Sequence, residues 1–276
     1  MMQTAWDIQL ENLRLGYGDT VVLNNVNAVL PGGKITVILG GSGGGKSTLL
    51  RHIIGLMRPM GGKILLGGRD IFSLSDKEFR RLRRRMGVLF QDGALLGSLT
   101  LAENVGLPLR EHTNLTATDI RDLVLHKLSL VGLEKVPDYY PGQLSGGMRK
   151  RAGLARALVT DPPILFCDEP TSGLDPINAA QMDALLLSMK KQYPEMTIVV
   201  VSHDLASLHV IADHVLVLHN GGVAFNGSPE TLAATADPYL RRFLDRQPEE
   251  EDMLNAPADV ALAPKVRAAL DAWLGR

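Results

Sequence analysis

Residues 40–47 read Gly40-Gly41-Ser42-Gly43-Gly44-Gly45-Lys46-Ser47, the spacing G-x-x-x-x-G-K-S, directly after the apolar run Ile35 to Leu39. The pattern requires a buried strand that ends in a glycine turn and opens into a helix, here across Thr48 to Ile54. Such a turn aims successive backbone N–H groups and the positive end of the helix at one point, where a polyphosphate fits. Five glycines among the eight positions give positive φ freely and allow close backbone approach. Lys46 can reach the outer phosphates, and the Ser47 hydroxyl can ligate Mg2+.

The chain has 276 residues, 45% of them hydrophobic, enough to bury a sizeable core. Its net charge of −1 supplies no overall field for nucleic acid or an anionic membrane, so neither is expected as a partner on electrostatic grounds. The single cysteine, Cys167, lies in the apolar stretch Ile164-Leu165-Phe166-Cys167 and is expected as a small buried hydrophobe in a reducing cytoplasm. The segment Met1 to Asp7 lacks a basic stretch followed by a long apolar one. No uninterrupted apolar run approaches about 18 residues, so the chain is not expected to span a membrane by itself.

Residues 8–39 alternate β-rich runs with turn signals: Ile8 to Leu10, Leu13 to Gly18, Val21 to Leu23 and Ala28 to Leu30. They predict a small antiparallel layer. Lys63 to Leu66 and Met86 to Phe90 fit further short strands. From Thr118 to Leu133, Ile120, Leu123, Val124, Leu128 and Val131 keep a helical spacing, which predicts a helical insert over about 92–160. Ile164 to Cys167 and Thr197 to Val201 then flank a helix lined by Met182, Leu185, Leu186 and Met189, a β-α-β crossover with parallel strands. The acidic, proline-containing stretch Asp245 to Asp252 reads as a linker. Beyond it, Val266, Ala269, Leu270, Trp273 and Leu274 predict a short amphipathic helix whose stripe must dock on something. The expected domains are 1–245 and an accessory tail, 246–276.

The run Ile164 to Cys167 delivers Asp168 and Glu169 to a strand's C-terminal edge, where parallel α/β sheets bind ligands. Successive strand residues point oppositely, so Asp168 can hold Mg2+ through water while Glu169 aims at an attacking water. In isolation the pair would be an ordinary acidic strand end. Leu144-Ser145-Gly146-Gly147-Met148 precedes a helix-like stretch, Arg149 to Val159, and offers a second set of helix-start donors to an anion, although Ser-Gly-Gly alone is commonly just a turn.

These motifs, in this order over roughly residues 7–244, resemble an ATP-binding cassette (ABC) ATPase. The resemblance implies an α/β, P-loop NTPase fold: a RecA-like, mainly parallel sheet core, a small antiparallel β subdomain and a helical insert subdomain. It implies ATP and Mg2+ as cofactors, held by Gly40 through Thr48. It also implies that Ser145, Gly146 and Gly147 of one copy close over the nucleotide of another. Tyr17 sits where an aromatic ring stacks on adenine, and alone would be packing. Gln91 matches a glutamine that senses Mg2+ and the γ-phosphate. Ser172-Gly173-Leu174-Asp175 matches the loop through which paired sites communicate, or is simply a capped helix start at Asp175-Pro176. His203, in Ser202-His203-Asp204, matches the histidine that contacts the γ-phosphate and orients Glu169. Two departures stand out: Met148 replaces a common glutamine, and Gly41 and Gly44 make the phosphate loop unusually glycine-rich.

One cassette without a heptad run favours a transporter subunit over DNA-organising or translation factors. The basic run Arg80-Arg81-Leu82-Arg83-Arg84-Arg85 is expected as solvated surface. Gln91 to Thr100, followed by Glu103-Asn104-Val105 and Pro108 to Thr113, resembles the cassettes of Mla-type, MCE-associated bacterial phospholipid transport systems. That implies a paired ATPase, peripheral on the cytoplasmic side of the inner membrane. Its expected partners are two permease subunits, a periplasmic MCE lipid-binding ring and often a small STAS-domain protein. Cassettes for another cargo, such as an amino acid or a metal complex, share the same motifs. Ala94, Leu95, Leu96 and Leu99 are too apolar for a free loop. They either line a groove for a permease helix or pack inside the insert.

Overall fold

The computed structural model describes residues 6–247 and 264–275, in two compact units divided between Ala233 and Ala234. The first unit opens with β1 (Ile8–Tyr17) and β2 (Thr20–Leu30), an antiparallel pair whose Leu13, Leu15, Leu23 and Val26 are fully buried. The sequence suggests breaks inside both strands, yet each runs through. Asn12 and Asn25 take left-handed backbone at φ 47 and 53, where the ladder shifts register. Asn27 closes the irregularity, accepting from the Asn12 N–H at 2.8 Å and donating to Asn25 Oδ1 at 3.0 Å. Polar residues that read as turn signals are therefore bulges within longer strands.

The chain continues through β3 (Ile35–Gly40), α1 (Lys46–Ile53), β4 (Gly61–Leu66), β5 (Arg69–Asp70), α2 (Asp76–Arg83) and β6 (Met86–Leu89). A helical segment follows: α3 (Leu101–His112), α4 (Ala117–Leu130) and α5 (Gly146–Ala157). Then come β7 (Ile164–Asp168), α6 (Pro176–Gln192), β8 (Thr197–Val201), α7 (Leu205–Ile211), β9 (His214–His219), β10 (Gly222–Gly227) and α8 (Pro229–Ala233).

Two sheets result. One is antiparallel, in the order β2-β1-β4-β5; the other runs β10-β9-β3-β8-β7-β6 and is parallel except for the β10 hairpin strand. Every residue of β3 and β8 is buried, as continuous apolar strands covered on both faces must be. One apolar cluster joins Leu15 and Leu23 of the antiparallel sheet, Leu49 and Ile53 of α1, and Phe166 and Val199 of the parallel sheet. A second lies within the insert, where Leu101, Val105, Val124, Leu128 and Ala152 knit α3, α4 and α5 together. Cys167 is fully buried, and burial pushes its thiol pKa far up, with the neighbouring Asp168 charge adding to it.

Helix starts are strongly specified. Ser75, Thr100 and Thr116 open α2, α3 and α4 with capping boxes, and Ser145, Asp175 and Asp204 cap α5, α6 and α7. Each such cap is worth about 1 kcal/mol. By contrast, α1 begins at left-handed Gly45, with no side-chain cap.

The second unit contains α9 (Pro238–Leu244), capped by Asp237, and α10 (Pro264–Leu274), the helix expected in the tail. The apolar stripe of α10 is exposed, Trp273 at 82%. The expected acidic linker lies, from residue 248 on, outside the described residues. Among the described residues, no helix is long and apolar enough to cross a membrane.

Candidate active site

The order β3-β8-β7-β6 sets the phosphate loop, Ser202-His203, Asp168-Glu169 and Gln91 along one C-terminal sheet edge, each at or just past the end of its own strand. The phosphate loop leaves β3 at Gly40 and enters α1 at Lys46. Gly40, Gly43 and Gly45 have φ of 153, 75 and 85, whereas Gly41 and Gly44 do not take positive φ. Gly40 is further required by space, since a Cβ there would lie 2.5 Å from the Leu218 carbonyl oxygen. The free N–H groups at the start of α1, unopposed by any side-chain cap, face the turn and make it an anion site.

Lys46 is 8% exposed and donates to the Gly40 and Gly41 carbonyls at 2.9 and 3.0 Å. Burial lowers its pKa, against the charges of Glu169 and Asp168. Both carboxylates therefore act on the phosphate-loop lysine. Burial also raises the Asp168 pKa, and the Glu169 charge adds to it. Arg51, the Ser47 hydroxyl and Lys46 oppose the rise. Asp168 Oδ1 is buried without a hydrogen-bond partner. An acceptor left over beside a serine hydroxyl is the donor chemistry a hard divalent cation takes, with water and phosphate oxygens completing its shell. Among the described residues no group of three or more His, Cys, Asp or Glu could hold a metal without such help.

Glu169 has φ 49, an unfavourable backbone for a residue other than glycine. Its N–H donates to Val201 O at 2.9 Å. Its carboxylate Oε2 lies 2.7 Å from His203 Nδ1, the histidine that the resemblance singled out. The two residues meet because β7 and β8 pair in parallel, Asp168 opposite Val201. Gln91 is exposed, two residues beyond Leu89, which pairs with Cys167. Tyr17 ends β1 with 40% exposure, and its hydroxyl is tied to Thr48 Oγ1 at 3.2 Å and Arg51 at 3.0 Å. The Thr48 contact, more than any other, lowers its pKa.

Ser145 caps α5 by accepting from the Met148 N–H at 3.2 Å. Met148 turns into the insert core, which accounts for an apolar residue at that position. Gly147 is buried, and a Cβ on it would come 3.2 Å from Asn178 Oδ1. Asp175 caps α6 by accepting from the Ile177 and Asn178 N–H groups, and Asn178 hydrogen bonds, first among several, hold its carboxyl below the usual range. Asn178, hydrogen bonded to Asp175, thus occupies the space beside Gly147. Among the described residues, no hydrogen bond joins Ser145, Gly146 or Gly147 to Gly40 through Thr48 of the same chain.

The segment after Gln91 divides. Leu95 packs on the insert core while Leu96 is 47% exposed. Buried Asn104 holds Leu96, Leu99 and Thr100, and Arg156 donates to Gly93 O and Ala94 O, both at 2.8 Å. Arg80, Arg83 and Arg84 are exposed, as expected. They also line a cleft of about 680 Å3 with Leu56, Phe90 and His112. The sequence reading named Asn104 only as part of the family resemblance, and passed over Asn178 and Lys150. Lys150 is 6% exposed and donates to Glu169 O at 2.9 Å and to Ser172 O at 2.5 Å. Its signal was its place on the buried stripe Gly147, Lys150, Leu154 and Ala157.

The ABC transporter family profile matches residues 23–172. The intermembrane phospholipid transport system ATP-binding protein MlaF of Haemophilus influenzae is 41% identical over 254 residues, covering 91% of this chain and 95% of that protein. The probable ribonucleotide transport ATP-binding protein mkl of Mycobacterium tuberculosis is 41% identical over 265 residues, 96% of this chain and 74% of that one. The dimeric post-hydrolysis structure of the ATP-binding cassette MJ0796, bound to ADP and Pi, is similar with a TM-score of 0.73 and 32% identity, over 80% of this chain and 98% of that one. The chain belongs to the ABC transporter family and is an ATP-binding, ATP-hydrolysing subunit of that family.

Proposed function

We propose that this subunit energises phospholipid movement between the inner and outer membranes of a bacterium. In this reading residues 1–245 form the cassette and 246–276 an accessory tail. It works as a pair of identical copies on the cytoplasmic side of the inner membrane, beneath integral-membrane permease subunits. The observation that carries the cargo is the match to MlaF, which extends over 95% of that protein, whereas mkl has a quarter of its length unmatched. The mkl name favours a second reading, in which the cargo is a ribonucleotide. A periplasmic MCE ring and a small STAS-domain protein complete the proposed assembly.

Two ATP molecules are sandwiched between facing copies. Lys46, the phosphate-loop N–H groups, Ser47 and Asp168 of one copy hold each nucleotide, Tyr17 stacks on its base, and Ser145, Gly146 and Gly147 of the other copy cap it. The dimeric MJ0796 cassette supports this pairing. So does the lack of any hydrogen bond, among the described residues, between the two phosphate-seeking elements of one chain. Mg2+ on Ser47 and Asp168, with Gln91 nearby, would neutralise charge developing on the phosphate oxygens. Glu169 orients the attacking water and accepts its proton. His203 holds the Glu169 carboxylate and faces the outer phosphate, in catalysis that is mostly electrostatic. Asp175 connects the two sites. The arginine-lined cleft, with Leu56 and Phe90 exposed in it, suits a permease segment with apolar and acidic side chains.

Purification of the tagged chain from membranes in mild detergent, with mass spectrometry of bound subunits and lipids, tests this function. Glycerophospholipid and two copies of an integral-membrane subunit are expected. A complex that carries and moves ribonucleotides would overturn the cargo. Recovery of the chain with nucleic acid and no membrane subunit would overturn transport.

A further inference from the structure

Lys150 is a buried ammonium on α5, one turn beyond the Ser145-Gly146-Gly147 helix start. Among the described residues no carboxylate pairs with it. Its hydrogen bonds go instead to the main-chain oxygens of Glu169 and Ser172. A buried lysine usually lies against a carboxylate, because isolated charge in the interior is costly. Here burial does lower its pKa, against the more distant charges of Asp92 and Glu169.

The carbonyls it holds belong to one short turn. Ser172 N–H donates to Glu169 O at 3.2 Å, so Lys150 shares that acceptor and also takes the oxygen three residues on. At the head of this turn stands Glu169 with φ 49, a backbone that persists only where its surroundings impose it. The opposite side of the same residue is fixed by its N–H on Val201 O. Glu169 is therefore gripped by β8 through its nitrogen and by α5 through its oxygen.

We propose that Lys150 is a positioning residue for ATP hydrolysis, pinning the Glu169–Ser172 turn so that the Glu169 carboxylate is presented correctly only when α5 is seated against it. This rests on the reading of Glu169 as the water-orienting carboxylate. Through Lys150, displacement of the insert helix that carries Ser145-Gly146-Gly147 reaches the backbone of Glu169. The same turn leads into Asp175, so the ammonium links the capping element of one site to the loop proposed to connect the two sites.

The test compares full-length wild type, Lys150→Met, Lys150→Gln, Lys150→Arg and Glu169→Gln in steady-state phosphate release and in equilibrium ATP binding. Lys150→Met keeps the apolar stem and removes the donors. It is expected to lower kcat about 10- to 100-fold with KM and ATP affinity within about twofold of wild type. Lys150→Arg, which restores donors, is expected to recover most of the rate. Lys150→Gln provides the measurement if the methionine variant does not fold, and should likewise lower kcat alone. Wild-type kcat in the folded Met or Gln variant, a fall in ATP affinity that matches the fall in rate, or no recovery with a folded Arg variant overturns the proposal. Normal turnover by Glu169→Gln overturns the Glu169 reading instead, so the two failures are told apart.

Discussion

His203 Nδ1 and Glu169 Oε2 lie 2.7 Å apart although 34 residues separate them, because β7 and β8 run side by side and end together. The histidine is the more exposed of the two, with its side chain 63% accessible against 13% for the glutamate. A carboxylate held by one buried turn and one open imidazole is fixed on its protein side and accessible on its solvent side, the geometry needed to aim a water at a bound phosphate.

Replacing Glu169 with glutamine removes the proton acceptor and leaves the phosphate loop intact. Phosphate release is expected to fall about 100- to 1,000-fold, with ATP affinity retained. His203→Ala should lower the rate in the same direction, also without loss of binding. Filter binding beside phosphate release checks both, and normal turnover in Glu169→Gln would remove that residue from the mechanism.

Asp168 carries a pKa raised by burial and by the Glu169 charge, so the native state holds its proton to higher pH than the unfolded chain does. Its ionisation therefore costs stability above the raised native pKa, and that cost vanishes below the ordinary aspartate range near about 4. Without ligands, Asp168→Asn is expected to raise Tm at pH 7 on the order of 2 °C, with the gain disappearing as the pH falls towards 4. The same variant should lose Mg2+-dependent ATP hydrolysis. A lower Tm at neutral pH would show that the carboxylate stabilises the empty site instead.

Asn104 is fully buried and satisfies the Leu96 N–H and three carbonyls, those of Leu96, Leu99 and Thr100. Asn104→Ala leaves the Leu96 N–H and the Leu99 carbonyl without partners, whereas Leu96 O keeps the Leu99 N–H and Thr100 O keeps the Asn104 N–H, and it is expected to cost about 2–3 kcal/mol in chemical denaturation. A loss below about 0.5 kcal/mol would mean that water replaces the amide, so the segment after Gln91 is not held in this way.

The phosphate loop was legible because its chemistry is local: a strand, a glycine turn and a helix follow one another directly in the chain. Its glycine content was only partly explained, since Gly41 and Gly44 take no positive φ and Gly41 has open space around it. The β7-α6-β8 crossover and the burial of Cys167 were readable from short apolar runs. The contact between Glu169 and His203 was not readable from spacing. Only the family resemblance placed His203, because strand pairing brings the two together. Asn12 and Asn25 misled for a physical reason, as a left-handed asparagine serves a bulge as well as a turn. Within the helical insert expected over about 92–160, the Thr100–Glu103 capping box opens α3, which runs on through Pro108. Lys150 escaped notice because a lysine after a glycine-rich helix start reads as solvated, whereas its stripe faces inward.

Sedimentation equilibrium of Glu169→Gln, with and without Mg2+-ATP, bears most directly on the claim that hydrolysis takes place between two copies. The account predicts a monomer without nucleotide and a dimer holding two ATP molecules with it, and a return to monomer when Ser145→Arg is added to block the cap. A chain that stays monomeric at saturating ATP, while the wild type hydrolyses at a per-molecule rate independent of protein concentration, would contradict it.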